Sequence, residues 1–189
     1  AFAFKPAQMQ IEVQPRTIHA HLFRSPTNQN DVLGFITGTE LCKMYEKRKP
    51  ENGRDHWLLQ MNVRLRLKRK KNSRASQIYD DMCTTISEES EKFARRNNGI
   101  VLTCTEIKEI KKNYWELTKP QIVNGGQSVN TLYDYYEHDE QTEREKMDNV
   151  MVAIKIAVCR GQRYEKEALE VAKGANSQNP TEPRDLASR

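Results

Sequence analysis

The chain has 189 residues, 37% of them hydrophobic and 30% charged, with a mean hydropathy of −0.87, which suits one domain with a core and a large polar surface. Its 31 basic and 26 acidic residues leave a net charge of +5, a mild lean toward anionic partners. The absence of any apolar run near the roughly 20 residues that cross a bilayer, and of any signal-peptide pattern, argues against a membrane protein. Cys42, Cys83, Cys104 and Cys159 are far apart with no CxxC, so reduced thiols are expected rather than a disulfide framework or a zinc site.

In chain order, residues 10–24 alternate loosely through Ile11, Val13, Ile18, Ala20 and Leu22 and read as a strand. Thr37-Gly38-Thr39-Glu40, following Leu33-Gly34-Phe35-Ile36, is suited to cap a helix carrying Leu41, Met44 and Tyr45, which Pro50-Glu51-Asn52-Gly53 ends in a turn. Trp57 to Leu67 is apolar and basic by turns, with Val63, Leu65 and Leu67 on one side and Arg64, Arg66 and Lys68 on the other, so the basic stretch from Arg64 begins as an alternating strand. A helix is expected over about 75–95, burying Ile78, Met82, Ile86 and Phe93. Strands follow at about 100–107, 114–123 and 149–159, with helices at about 127–137 and 164–174. Val150-Met151-Val152-Ala153-Ile154 reads as an interior strand buried on both faces. The fold class is α/β, a mixed sheet with covering helices.

Three tracts rich in asparagine and glycine punctuate these elements: Asn97-Asn98-Gly99-Ile100, Ile122-Val123-Asn124-Gly125-Gly126-Gln127-Ser128 and Asn176-Ser177-Gln178-Asn179. Their amides donate and accept hydrogen bonds without titrating. In the central tract a strand leads into Asn124-Gly125-Gly126 and a helix begins at Gln127, with Val129, Leu132, Tyr133 and Tyr136 at helical spacing. Two glycines there permit positive φ and close backbone approach, and the unpaired N–H groups of a helix N-terminus suit an anion or phosphate. The bland alternative is a tight strand–helix connection that binds nothing. No GxxxxGK[ST] or GxGxxG occurs, so neither a Walker nor a Rossmann phosphate loop is present. What favours a site is the presence of all three tracts in one small domain.

Taken in order, these residues resemble the AIPR family, named for abortive infection and phage resistance. The likeness spans nearly the whole chain, residues 1–189 as one AIPR-like domain, and rests on Asn62-Val63-Arg64, then Phe93 leading to Asn97-Asn98-Gly99-Ile100, then Ile122 to Ser128, then Asn176 to Asn179 with Asp185-Leu186 beyond. Ala94 stands where the family carries an aromatic, followed by Arg95 and Arg96, and Ser128 stands where threonine is usual. The family's members are longer, so flanking N- and C-terminal regions are expected beyond this chain. The resemblance implies a bacterial or archaeal cytoplasmic defence protein, without a membrane, often encoded beside restriction–modification or other defence genes. Asn124-Gly125-Gly126-Gln127 and Asn176-Ser177-Gln178 also faintly echo the ParB and sulfiredoxin-like superfamily, which would imply a nucleotide or DNA ligand. Asn124 in place of the acidic residue, and Ser128 and Val129 in place of its basic end, depart from that pattern.

The candidate ligand-binding residues are therefore Arg64, Asn97, Asn98, Gly99, Asn124, Gly125, Gly126, Gln127, Asn176, Gln178 and Asn179. A second candidate is the basic stretch Arg64, Arg66, Lys68, Arg69, Lys70, Lys71 and Arg74, dense enough to neutralise phosphates. It is equally readable as a solvated edge whose lysines prevent association. Catalytic patterns are sparse. His19 and His21 share a strand face without a partner at metal spacing, and His56 and His138 read as surface residues. Glu106, Glu116 and Asp185 are the acidic candidates near the tracts, and Glu116-Leu117-Thr118-Lys119 is a loose E-x-x-K. Tyr133, Tyr135 and Tyr136 belong to a helix rather than to catalysis.

Two function classes follow. One is a binding module that senses a nucleotide or nucleic acid through the amide tracts and the basic strand. The other is a phosphodiesterase or nuclease, which alone would require Mg²⁺ and converging carboxylates. Neutral amides position ligands well and transfer protons poorly, which favours binding.

Overall fold

The computed structural model of the chain describes residues 15–46, 57–62, 74–138 and 145–177. Strand β1 is Arg16–Arg24 and β2 is Asp31–Thr37, leading into helix α1, Gly38–Glu46. A 3-10 turn at Trp57–Leu59 precedes α2, Arg74–Glu89, and α3, Phe93–Arg96. Four strands follow closely, β3 (Ile100–Cys104), β4 (Glu106–Lys111), β5 (Tyr114–Thr118) and β6 (Gln121–Asn124). Helix α4 (Gly126–His138), strand β7 (Met151–Val158) and helix α5 (Tyr164–Ser177) complete the described residues.

All seven strands join one mixed sheet in the order β4-β5-β1-β2-β7-β3-β6. Only β3 and β7 are parallel neighbours. The two ends of this order are halves of a single hairpin. Thr105 alone separates β3 from β4, and Lys119-Pro120 separates β5 from β6. The Thr105 N–H and hydroxyl both donate to the Thr118 carbonyl at the bend, 2.9 and 3.2 Å away. The base of the hairpin pairs with β7 through β3, and its tip pairs with β1 through β5. The sheet therefore curls back on itself. Arg24 bridges the closure, donating one nitrogen to the Ile107 carbonyl at 2.9 Å and another to that of Gln29 at 2.8 Å.

The inner face follows from period-two alternation. Ile18 and Ala20, Val32 and Ile36, Val152, Ile154 and Ile156, Leu102, Ile107, Trp115, Leu117 and Ile122 are all buried in one cluster. Leu41, Met44 and Tyr45 of α1 and Val129, Leu132 and Tyr133 of α4 close over it. The α1 cap is where the sequence puts it: the Glu40 N–H donates to the Thr37 hydroxyl at 3.2 Å. Helix α5 packs on the opposite face of the β7-β3-β6 end, where Tyr164, Ala168, Val171 and Ala172 meet Val101, Val123 and Ala157. Among the described residues no element covers the outer face of β1 and β2, and Phe23 and Phe35 are 59% and 41% exposed.

Several expectations need correction. The run at 114–123 is two strands, because Lys119 at φ +51 turns the chain before Pro120. The run at 100–107 breaks at Thr105, and Glu106 and Ile107 already belong to the charged strand β4. Trp57–Leu59 forms a helical turn, and the alternating strand expected at 63–68 lies outside the described residues, as do residues 10–14 of the first strand. The helix at 75–95 is interrupted by a 3-10 turn at Ser90–Lys92, and Ile78 is 41% exposed rather than buried. Strand β7 is interior, yet only one of its faces is fully buried; Lys155 on the other is exposed. Strand β2 has no counterpart among the expected strands: its outward positions, Leu33 and Phe35, are as apolar as its inward ones, so alternation is invisible in sequence.

Candidate functional site

The three tracts meet around the turn from β6 to α4. Asn97 caps α3, its N–H donating to the Phe93 carbonyl at 3.0 Å. Its side-chain amide donates to the Ser128 hydroxyl at 3.1 Å, and its side-chain carbonyl accepts the Gly99 N–H at 2.8 Å. The first and second tracts are thereby tied across 31 residues of chain. Their backbones also touch. Gly99 and Gly125 lie at φ +73 and +85, and a Cβ on Gly125 would stand 2.7 Å from the Gly99 carbonyl oxygen. Glycine is required at both places by conformation and by space.

The third tract joins the second on the α5 side. The Asn124 amide donates to the Ala175 carbonyl at 2.6 Å, and the Asn176 amide donates to the carbonyls of Val123 at 3.2 Å and Ala172 at 2.7 Å. These bonds dock the C-terminal end of α5, whose last carbonyls lack helical partners. Asn62, from the Asn62-Val63-Arg64 element, reaches the same turn: its amide donates to the Ile122 carbonyl at 3.3 Å and sits 2.7 Å from where a Cβ on Gly126 would be. The buried Gln121 side chain accepts the Met61 N–H at 3.3 Å and fixes that segment.

A cleft of about 500 Å³ opens beside the junction of the first two tracts. Its walls are Asp81, Thr84, Thr85, Arg96, Asn97, Asn98 and Ser128, over an apolar floor of Ile78, Met82 and Phe93. Arg96 is held at the rim, one nitrogen donating to the Thr85 hydroxyl at 3.3 Å and another to the Glu89 carboxylate. Hydrogen bonds from Lys92 and then Arg96 hold the Glu89 carboxyl below its ordinary range. Asn98 is exposed, lines the cleft and makes no side-chain hydrogen bond among the described residues. Gln127 is half-buried in the first turn of α4, outside the cleft lining, as are Asn124 and Asn176.

The candidate residues thus divide. Asn97, Asn98 and Gly99 adjoin Ser128 at the cleft; Asn124, Gly125 and Gly126 form the turn; Asn176 braces it from behind. Arg64, Gln178 and Asn179 lie outside the described residues, as do Arg66, Lys68, Arg69, Lys70, Lys71 and Asp185. Of the acidic candidates, Glu106 and Glu116 sit on β4 and β5, and the Lys119 ammonium stands 5.8 Å over the Tyr164 ring. Thr85, Asp81 and Arg96 were not read from sequence as cleft residues. The signal for Arg96 was its place in the Arg95-Arg96 pair that follows Ala94. Among the described residues, no group of three or more His, Cys, Asp or Glu is placed to hold a metal, and no helix is long and apolar enough to cross a membrane.

No curated protein and no solved structure matches this chain, so the ParB and sulfiredoxin-like echo has no support beyond the residues that suggested it. The family model described as AIPR protein matches residues 59–189, which include the cleft, the glycine turn and all three tracts. The chain belongs to the AIPR family, and that membership indicates anti-phage defence by abortive infection.

Proposed function

We propose that the chain recognises a nucleotide or nucleic acid at the cleft between α2 and the Asn97-Asn98 and Ser128 turns, as the sensing step of an abortive-infection response. The observation that carries this reading is the convergence on one cleft of two tracts distant in sequence, with the Asn98 amide facing it uncommitted. The volume is that of a small-ligand site. Apolar Ile78, Met82 and Phe93 offer a floor for a base, while Asn98, Thr84 and Ser128 offer neutral hydrogen-bonding groups for its edge or sugar. Arg96, already oriented by Thr85 and Glu89, supplies a cation for phosphate without first having to be ordered. The basic run at 64–74 leads directly in sequence into α2, the helix that forms one wall, which extends the reading from nucleotides to nucleic acid.

Binding is favoured over phosphodiester cleavage because, among the described residues, Asp81 is the one carboxylate lining the cleft, whereas two-metal hydrolysis uses several. The test is a panel of nucleotides and of single- and double-stranded DNA and RNA, with and without Mg²⁺, scored for affinity and for cleavage. Binding that weakens about tenfold or more in Asn98→Ala, without products, supports the reading. Mg²⁺-dependent cleavage that disappears in Asp81→Ala establishes the nuclease instead.

A further inference from the structure

The outer face of the curled sheet is unusual in what it exposes. By register His19 lies opposite Tyr114, His21 opposite Phe35, and Phe23 opposite Leu33, so five rings share the outward side of three adjacent antiparallel strands, β5, β1 and β2. The His19 and Tyr114 rings are 4.7 Å apart at their centroids, and those of His19 and His21 are 5.9 Å apart. Phe23, Phe35 and Tyr114 are exposed. Inward neighbours on the same strands are buried, so these rings contribute little to the core that orders them.

Charge brackets the rings. The Lys111 ammonium stands 5.5 Å over the Tyr114 ring at one side, and exposed Lys155 pairs with Leu33 at the other. Among the described residues, no carboxylate is the register partner of any of these five rings. Carboxylates share the face one register position away: Glu116 lies opposite Thr17, two residues along β5 from Tyr114, and Asp31 lies two residues along β2 from Leu33, where the Asn28 amide engages it at 2.8 Å. Glu40, in the first turn of α1, reaches the edge of the platform, where its carboxylate accepts the His19 backbone N–H at 3.4 Å and the Lys43 ammonium at 2.9 Å.

We infer that this face is a stacking platform for single-stranded nucleic acid, independent of the cleft. Unstacked bases present π-faces to exposed aromatic and imidazole rings, and flanking lysines neutralise the phosphates between them. A duplex hides those base faces and is disfavoured.

The probe is a fluorescein-labelled strand of about 15 nucleotides, as RNA and as DNA, against its duplex, read by anisotropy on the 189-residue chain. Single strands are expected to bind more tightly than duplex. The double variant Phe23→Leu/Phe35→Leu keeps the apolar area and removes two π-faces, and is expected to bind roughly tenfold or more weakly, while Phe23→Tyr/Phe35→Tyr restores affinity. Lysine content is unchanged in both, so a purely electrostatic grip would not distinguish them. Equal binding by the leucine variant, or no single-strand binding by the parent chain, overturns the platform. So does a parent chain that sediments as a dimer and becomes monomeric in Phe35→Lys. Because the variants leave every cleft residue in place, loss of single-strand binding with mononucleotide binding retained marks this face, and the reverse marks the cleft.

Discussion

The Asn97 side chain donates to the Ser128 hydroxyl at 3.1 Å while accepting the Gly99 N–H at 2.8 Å, so both ends of its amide are committed to joining two tracts. Its neighbour Asn98 faces the cleft with neither end committed among the described residues. Adjacent, chemically identical side chains therefore perform different work: one builds the turn, and the other is available to a ligand.

Substitution should separate them. Asn97→Ala leaves a half-buried turn N–H and a hydroxyl unpaired and is expected to cost about 1–3 kcal/mol of stability in urea denaturation. Asn98→Ala should fall within about 0.5 kcal/mol of the parent and lose ligand affinity and phage protection. Equal stability of the two variants would dissolve the distinction.

Gly125→Ala is expected to be more damaging than either. The left-handed conformation costs a side chain about 1–2 kcal/mol, and the added methyl meets the Gly99 carbonyl at 2.7 Å and Ile100 Cα at 3.0 Å, both backbone atoms that cannot swing aside. Thermal melting should show a marked loss, of at least several degrees for a domain this size. A melting temperature unchanged from the parent would mean that the turn relaxes freely, and the contact between the tracts would not be a constraint.

How much of this was legible in sequence depended on where side-chain alternation survived. Helix α4 announced itself through Val129, Leu132 and Tyr133, and the Thr37 cap through the spacing to Glu40. Strand β2 did not, because Leu33 and Phe35 face outward as apolar residues, and β4 did not, because Ile107 is its only buried side chain. The bend that sends one hairpin to both ends of the sheet depends on pairing between residues far apart in the chain, such as Arg16 with Leu117, which no local pattern encodes. The tracts were visible as turn chemistry, but their division into cleft, turn and brace was not. That division is set by partners such as Ala175 and Ser128, which carry no signal of their own.

The brace makes its own prediction. Asn124→Ala and Asn176→Ala remove amide bonds that hold the end of α5 to β6, and each should cost about 1 kcal/mol. The loss should be local. Hydrogen exchange is expected to accelerate at the α5 amides near Ala172 and Ala175 while β7 and β2 keep their protection. Uniform acceleration across the sheet would instead make these bonds part of the global unfolding unit.

A last prediction concerns alkaline pH. Burial pushes the Cys104 thiol from its ordinary 9.0 up to about 12, with nearby Cys159 adding to the effect, and pushes Cys159 itself up to about 11. Burial likewise raises the Tyr164 hydroxyl from 10.0 to about 12. All three groups are neutral when protonated, and the fold favours that form. Their stabilising contribution is therefore complete below the unfolded values of 9.0 and 10.0 and is lost as pH rises toward the folded ones. The urea midpoint should stay level on account of these groups up to about pH 9 and decline above it, and Cys104→Ala should shallow that decline whatever it does to the midpoint at neutral pH. The same protonated, buried state makes Cys104 and Cys159 poor nucleophiles. In the folded chain a disulfide reagent at mildly alkaline pH should label half-buried Cys83 first, with Cys42, Cys104 and Cys159 reacting only as the protein opens. Prompt labelling of Cys104 under native conditions would show that the β3–β7 seam admits solvent, contrary to its complete burial.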